Sequence, residues 1–129
     1  MFSTEQVSKY HPDKYCDQIS DAVLDAYLAQ DQECRVAVEC MAKGEELYLC
    51  GEVTSKAKVD YHDIAGSVAA KLGYAIAHVH VNISEQSPEI AHGVRHGRDT
   101  GAGDQGIMFG FATRETESRL PYAFDLANM

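Results

Sequence analysis

An α/β fold, a sheet with helices packed on one face, is the class this sequence predicts. Two segments carry apolar residues at helical spacing, and three carry them as strand-like runs or strict alternation. Their order along the chain is helix, strand, strand, helix, strand, which builds a helix layer over a sheet. At 129 residues and 45% hydrophobic content, the chain is long enough to bury roughly two-thirds of its unfolded surface.

The first helix is predicted from Pro12 to about Gln30. Cys16, Ile19, Val23, Ala26 and Tyr27 recur at three- and four-residue spacing, with Asp17, Asp21 and Asp25 on other faces. Pro12 suits a first turn, where its missing N–H costs nothing. Asp13 then meets the positive end of the helix dipole.

"RVAVECMA" and "ELYLCGEVTS" follow as two strands joined by "KGE", a hairpin signal. A two-residue turn at Lys43-Gly44 pairs residue 39 with 48. Alternation then sets 39, 48, 50 and 52 on one face. "VDYHDIAGSVAAKLGYA" reads as the second helix, with Asp60 as N-cap, a stripe of Ile64, Val68 and Leu72, and Gly73 as its stop. In "AHVHVNIS", Ala77, Val79, Val81 and Ile83 alternate with His78, His80 and Asn82, the pattern of a half-buried strand.

Regularity stops at Gln86. The stretch to Gly106 is rich in glycine, and a loop that long in a small domain usually carries function. "IMFGFAT" is predicted to resume as a strand, and Pro121 opens a short terminal helix in "YAFDLANM".

The formal net charge of −9, with 11 Lys and Arg scattered along the chain, argues against nucleic acid, which needs clustered cations. No apolar run approaches the ~18 residues of a membrane span, and the polar start "MFSTEQVSK" does not resemble a signal peptide. Cys16, Cys34, Cys40 and Cys50 show no C-x-x-C pairing and sit among apolar residues. They read as reduced core thiols, which with the rest predicts a cytoplasmic protein.

Chemistry concentrates in a few places. At the first helix start, His11, Asp13 and Lys14 put a base, a carboxylate and a cation around Pro12. Exposed N–H groups and the dipole favour an anion there, and Asp13 suits a hard divalent cation. A plain charged helix cap fits the same spacing. Glu39 and Glu52 interrupt apolar strands on one face, where carboxylates call for cationic partners. "GAGDQG" (101–106) pairs three glycines with Asp104 and Gln105; it is neither G-x-G-x-x-G nor a Walker loop. The pairs His78/His80 and His92/His96 invite a zinc reading. The exposed face of a strand is simpler for the first pair, and the second has no cluster of further ligands at the right spacing.

In order along the chain, "HPDKYCDQISDAVLDAYLAQD", "VAVE", "GEVTS", "QSPEIAHGV" and "GAGDQGIMFGFAT" closely resemble the S-adenosylmethionine synthetase (methionine adenosyltransferase) family. The resemblance implies formation of S-adenosylmethionine from ATP and L-methionine, with the triphosphate released as phosphate and pyrophosphate. It implies that His11 and Lys14 contact ATP and act in catalysis, that Asp13 binds Mg²⁺, and that Glu39 binds K⁺. Glu52, Gln86 and Asp104 match positions that receive methionine. The family builds its site between two subunits, which implies a homo-oligomer or pairing with a full-length synthetase. Its members are roughly three times as long as this chain. The chain therefore reads as an N-terminal domain over 1–89, followed over 90–129 by the active-site loop and the start of the central domain. A non-catalytic module that associates with a complete synthetase is the alternative. Ser8-Lys9-Tyr10 stands where the family has Ser-Glu-Gly, so Tyr10 is expected to crowd the approach to the phosphates.

Overall fold

A computed structural model describes residues 3–85, 95–96, 99–100 and 105–129. The chain divides into two compact units, one spanning Lys9–Gly93 and the other Met1–Ser8 with Val94–Met129. Within the larger unit the order is α1 (Pro12–Leu28), β1 (Arg35–Lys43), β2 (Glu46–Thr54), α2 (Tyr61–Leu72) and β3 (His78–Glu85). The sheet runs β1-β2-β3. β1 and β2 form an antiparallel hairpin, and β2 and β3 are parallel, joined by the α2 crossover. Both helices pack on one face of this mixed sheet, as the element order predicts.

The core is built from strict periodicities. Tyr15, Ile19, Val23 and Tyr27 of α1 are buried at four-residue intervals. They meet Val38, Leu47, Leu49 and Val53 from the sheet and Ala65, Val68 and Ala69 from α2. Each such large side chain contributes roughly 1.5–3 kcal/mol when buried. The predicted stripe differs at its first position: Tyr15 is in the core and Cys16 is only half-buried. A phenol ring at that end of α1 reaches Tyr74, with ring centroids 4.2 Å apart and planes within 6°. In α2 the helix likewise turns Ala65 and Ala69 fully inward, leaving Ile64 and Leu72 half-buried. Small residues let the two helices approach closely.

Caps and turns follow the chemistry of their residues. Asp60 accepts from the amides of His62 and Asp63 at 3.0 and 3.1 Å, and Gly73 ends α2 at φ +76°. Asp31 accepts from the Lys56 amide, the Ser55 hydroxyl and the Glu33 amide. This clasps the end of α1 to the segment after β2, and the Lys56 bond foremost holds the Asp31 carboxyl below its ordinary range.

The hairpin corrects the predicted register. Lys43 pairs with Glu46, so Gly44-Glu45 forms the turn and Glu39 faces Cys50 rather than Tyr48. Gly44, at φ +61°, takes the first central position, which a type II′ hairpin turn reserves for glycine. A shift of two residues preserves the side-chain faces, so 39, 48, 50 and 52 still share one surface. That surface is the one opposite the helices. Glu39 is consequently exposed and Glu52 half-buried. Cys50 is exposed as well, which corrects its assignment to the core; Cys16, Cys34 and Cys40 are half-buried, and all four are free thiols.

The smaller unit holds two-residue strands β4 (Arg95–His96) and β5 (Asp99–Thr100), paired antiparallel, and the predicted terminal helix as α3 (Tyr122–Ala127). Tyr122 donates its amide to Glu115, and the Ser118 hydroxyl donates to Asp125. "IMFGFAT" is not a strand. Ile107, Met108, Phe109 and Phe111 are largely exposed. β-propensity alone does not make a strand without a neighbour to complete its hydrogen-bond ladder, and the described residues supply none.

Two stability predictions follow from the core. At Gly51 φ is +149°, and an added Cβ would lie 1.9 Å from the Ala37 carbonyl oxygen. Gly51→Ala is expected to cost about 3 kcal/mol or more, from backbone strain and forced separation of β1 and β2. Urea unfolding measures it; a loss within experimental error would contradict the close approach. Tyr15 has its hydroxyl buried without a partner among the described residues, and burial pushes its pKa from 10.0 up to about 12. Because the folded value is the higher one, this contribution is complete below pH 10 and is lost as pH rises through 12. Tyr15→Phe should leave neutral-pH stability unchanged or raised by up to about 1 kcal/mol. It should also flatten the alkaline fall in melting temperature, to which Tyr61, likewise raised by burial, continues to contribute.

Candidate active site

The first turn of α1 is capped by an imidazole. His11 is the N-cap, with extended backbone at φ −68° and ψ 142°, and its Nδ1 accepts the Asp13 amide at 3.2 Å. Cap acceptance needs a lone pair on Nδ1, so in the neutral ring the proton sits on Nε2, on the ring edge away from the helix. The Asp13 carboxylate lies 3.7 Å from the same Nδ1. Lys14 Nζ is paired with Asp17 at 3.0 Å, one turn on. At the exposed end of a helix such a pair is worth about 0.3–0.5 kcal/mol, little enough for a stronger anion to take the lysine over.

Three hydrogen bonds and a ring stack hold this turn in place. The Tyr74 hydroxyl donates to the Tyr10 carbonyl at 2.6 Å, while its ring stacks on buried Tyr15. The Gln18 amide donates to the carbonyls of Lys9 and Lys14. The backbone ahead of the helix is thus tied to α1 itself and to the residue just past α2. Tyr10, expected to crowd this approach, is exposed with the Lys9 ammonium 5.0 Å from its ring centroid. Neither Gln18 nor Tyr74 was marked by the sequence. Gln18 has a faint signal, four residues from Lys14, but Tyr74 lies in an unpatterned connection.

Beside this turn, α1 lies along the edge strand β1 and leaves two hollows. One, of about 460 Å³, is lined by Lys9, Lys14, Asp17, Gln18 and Glu39 among others. The second, of about 240 Å³, contains Asp13, Asp17, Cys16, Cys40 and Met41. The fold therefore brings Lys14 and Glu39 to one groove although 25 positions separate them in sequence. Glu52 occupies the same sheet face as Glu39. It pairs with Ala37, one row along from the Glu39–Cys50 row, which makes the two carboxylates diagonal neighbours. Gln86 and Asp104 lie outside the described residues.

The chemistry available is that of an anion site bordered by hard oxygen donors. Asp13 offers an exposed carboxylate that lies 3.7 Å from the His11 Nδ1. Among the described residues no group of three or more His, Cys, Asp or Glu could by itself hold a metal ion. Any cation at Asp13 must draw its other ligands from water or from a bound phosphate, which is how Mg²⁺ is commonly held. No helix among the described residues is long and apolar enough to cross a membrane.

Residues 1–95 match the family model for the S-adenosylmethionine synthetase N-terminal domain, and residues 99–129 match that for its central domain. The S-adenosylmethionine synthase of Mycoplasmopsis synoviae is 47% identical over 99% of this chain and 35% of its own length. That of Mycoplasma capricolum is 44% identical over 99% of this chain and 36% of its own. Among solved structures, one described as an unusual S-adenosylmethionine synthetase from Campylobacter jejuni superposes with a TM-score of 0.80 at 37% identity. It covers 98% of this chain and 34% of that one. The chain thus spans about a third of the relatives it matches. With a family model matched over residues 1–95, the chain belongs to the S-adenosylmethionine synthetase family.

Proposed function

We propose that this chain provides the nucleotide-facing part of a methionine adenosyltransferase, which forms S-adenosylmethionine from ATP and L-methionine and releases phosphate and pyrophosphate. The observation that carries this reading is the α1 start, where His11, Asp13 and Lys14 stand at a rigidly held helix N-terminus and Lys14 shares a groove with Glu39. In this reaction the methionine sulfur displaces triphosphate from the ribose C5′. The leaving group gathers negative charge, so preorganised donors and cations do most of the work.

Each residue has a role in that scheme. The Nε2–H of His11 donates to a phosphate oxygen while Nδ1 stays engaged in the cap. Lys14 exchanges Asp17 for the phosphates. Asp13 would hold Mg²⁺ with the phosphate oxygens as its remaining ligands, and the ion would supply charge neutralisation. Glu39 would hold K⁺, and Glu52, on the same face, would receive the methionine ammonium. Gln86 and Asp104 complete the methionine side. The division of the chain into a domain over 1–89 and a following segment over 90–129 belongs to the same proposal, as does a cytoplasmic setting.

The open sheet face favours a second component, pairing with another subunit. Met41, 61% exposed, and Tyr48, 38% exposed, lie on it with Cys50 and Glu39. Apolar side chains gathered on one face of a small domain mark an interaction surface. The partner is a second copy or a full-length synthetase, and in the latter case the chain could act as a non-catalytic module.

Catalysis is tested with a chimera in which residues 1–129 replace the matching third of the Mycoplasmopsis synoviae synthase. It should form S-adenosylmethionine, and His11→Ala or Lys14→Ala should each lower kcat by roughly 100-fold or more. A folded chimera with no activity, or variants as active as the parent, would overturn the assignment. The 129-residue chain alone, given ATP, methionine, Mg²⁺ and K⁺, should make no product, and steady turnover would show its site to be complete. For the interface, light scattering should find a dimer of this chain or a complex with a full-length synthetase, weakened by Tyr48→Glu. A strict monomer that binds neither would refute it.

A further inference from the structure

Tyr74 stands one residue past the glycine that ends α2, in the connection from Gly73 to Ala77, and that connection is held at both ends. The Tyr74 amide donates to the Ala69 carbonyl at 2.9 Å, beside the left-handed cap at Gly73. Three residues on, the Ala77 amide donates at 2.8 Å to the carbonyl of Glu45 in the hairpin turn. A backbone fixed on both sides restricts where the tyrosine can point. Its ring stacks on buried Tyr15 with centroids 4.2 Å apart, and its hydroxyl reaches the Tyr10 carbonyl at 2.6 Å. Gln18 grips the preceding carbonyl, that of Lys9, at 2.9 Å. Two successive peptide units ahead of His11 are therefore held by side chains from outside their own segment.

We infer that Tyr74 is a positioning residue for adenosyl transfer: through the Tyr10 carbonyl it sets where His11 presents its Nε2–H to the triphosphate. The inference rests on the reading of His11 as a phosphate donor. The Tyr10 carbonyl belongs to the planar peptide whose nitrogen is that of His11, so holding the carbonyl gives the His11 N–Cα bond a fixed direction. The imidazole has one further tie, Nδ1 accepting the Asp13 amide at 3.2 Å. That bond is at the long end of the hydrogen-bond range and exposed, so the peptide tether decides how tightly the ring is held. A donor that must meet charge as it develops loses much from a small misplacement. Without the tyrosine hydroxyl, the Tyr10 carbonyl turns to water and the His11 ring samples more orientations. Glu52, proposed to receive methionine, lies on the sheet face away from the helices, so the effect belongs to the ATP side alone.

The test pairs kinetics with spectroscopy on Tyr74→Phe, which removes the hydroxyl and keeps the ring on Tyr15. In the chimera carrying residues 1–129, shown by circular dichroism to be folded, the variant should lower kcat/KM for ATP about tenfold and leave KM for methionine unchanged. Kinetics equal to the parent's, or equal losses for both substrates, would overturn the inference. In the 129-residue chain alone, long-range proton–nitrogen NMR at about pH 8, where an ordinary imidazole is neutral, should show one His11 tautomer with its proton on Nε2. Tyr74→Phe should give a mixture of tautomers. The Tyr15 amide, which donates to the His11 carbonyl at 2.8 Å, should exchange about fivefold faster in the variant. A His11 spectrum and a Tyr15 exchange rate unchanged from the parent would equally overturn the inference. An inactive chimera would refute the adenosyltransferase reading instead, and the NMR comparison would then decide by itself whether Tyr74 holds the imidazole.

Discussion

Tyr15, Ile19, Val23 and Tyr27 recur every four residues along α1, and their burial against the sheet decides where both ends of that helix lie. At the C-terminal end, Tyr27 hydrogen-bonds Tyr61 at the start of α2, and Asp31 clasps the segment after β2. At the N-terminal end, Tyr15 stacks on Tyr74, whose hydroxyl holds the Tyr10 carbonyl. Anchors at both ends leave α1 little freedom to slide. The orientation of His11, Asp13 and Lys14 is therefore inherited from apolar packing several ångströms away. Residues that touch a phosphate can be preorganised this way without being buried themselves.

The sheet separates two kinds of chemistry. Its inner face carries Val38, Leu47, Leu49 and Val53 and does nothing but pack. Its outer face carries Glu39, Glu52, Glu46, His78 and His80, whose charge or polarity is tolerable because no helix covers them. Gly51 keeps β1 and β2 close enough for the two faces to remain distinct, since any side chain there would press into the Ala37 carbonyl. The parallel crossover through α2 then adds β3 next to β2 and sets its histidines beside Glu46. One sheet thus borders a groove of mixed lysines and carboxylates at the β1 edge and carries two histidines beside Glu46 at the β3 edge.

Local signals carried far in this sequence. The helices, the cap at Asp60 and the glycine stop at Gly73 were all readable, because short-range hydrogen bonds and dihedral preferences depend on neighbouring residues alone. Faces of the strands were readable too, and even a register wrong by two residues left them intact. The family was legible because "HPDK" and "GAGDQG" keep their spacing and order, and the matches over 1–95 and 99–129 agree. "IMFGFAT" shows the limit of such signals, since its pattern is that of a strand but strand formation is a property of pairs.

The sequence by itself determined the element types, the apolar stripes and the inventory of chemical groups, since these rest on periodicity and on the identity of each side chain. Only the tertiary structure decided that Lys14 shares a groove with Glu39, that Tyr74 holds the backbone before His11, and that Glu46 meets both histidines. Each of these joins residues at least 25 positions apart. Such distances are set by strand register and by the seating of α1 on the sheet. Both emerge from the packing of the whole core, which no local window of the sequence contains.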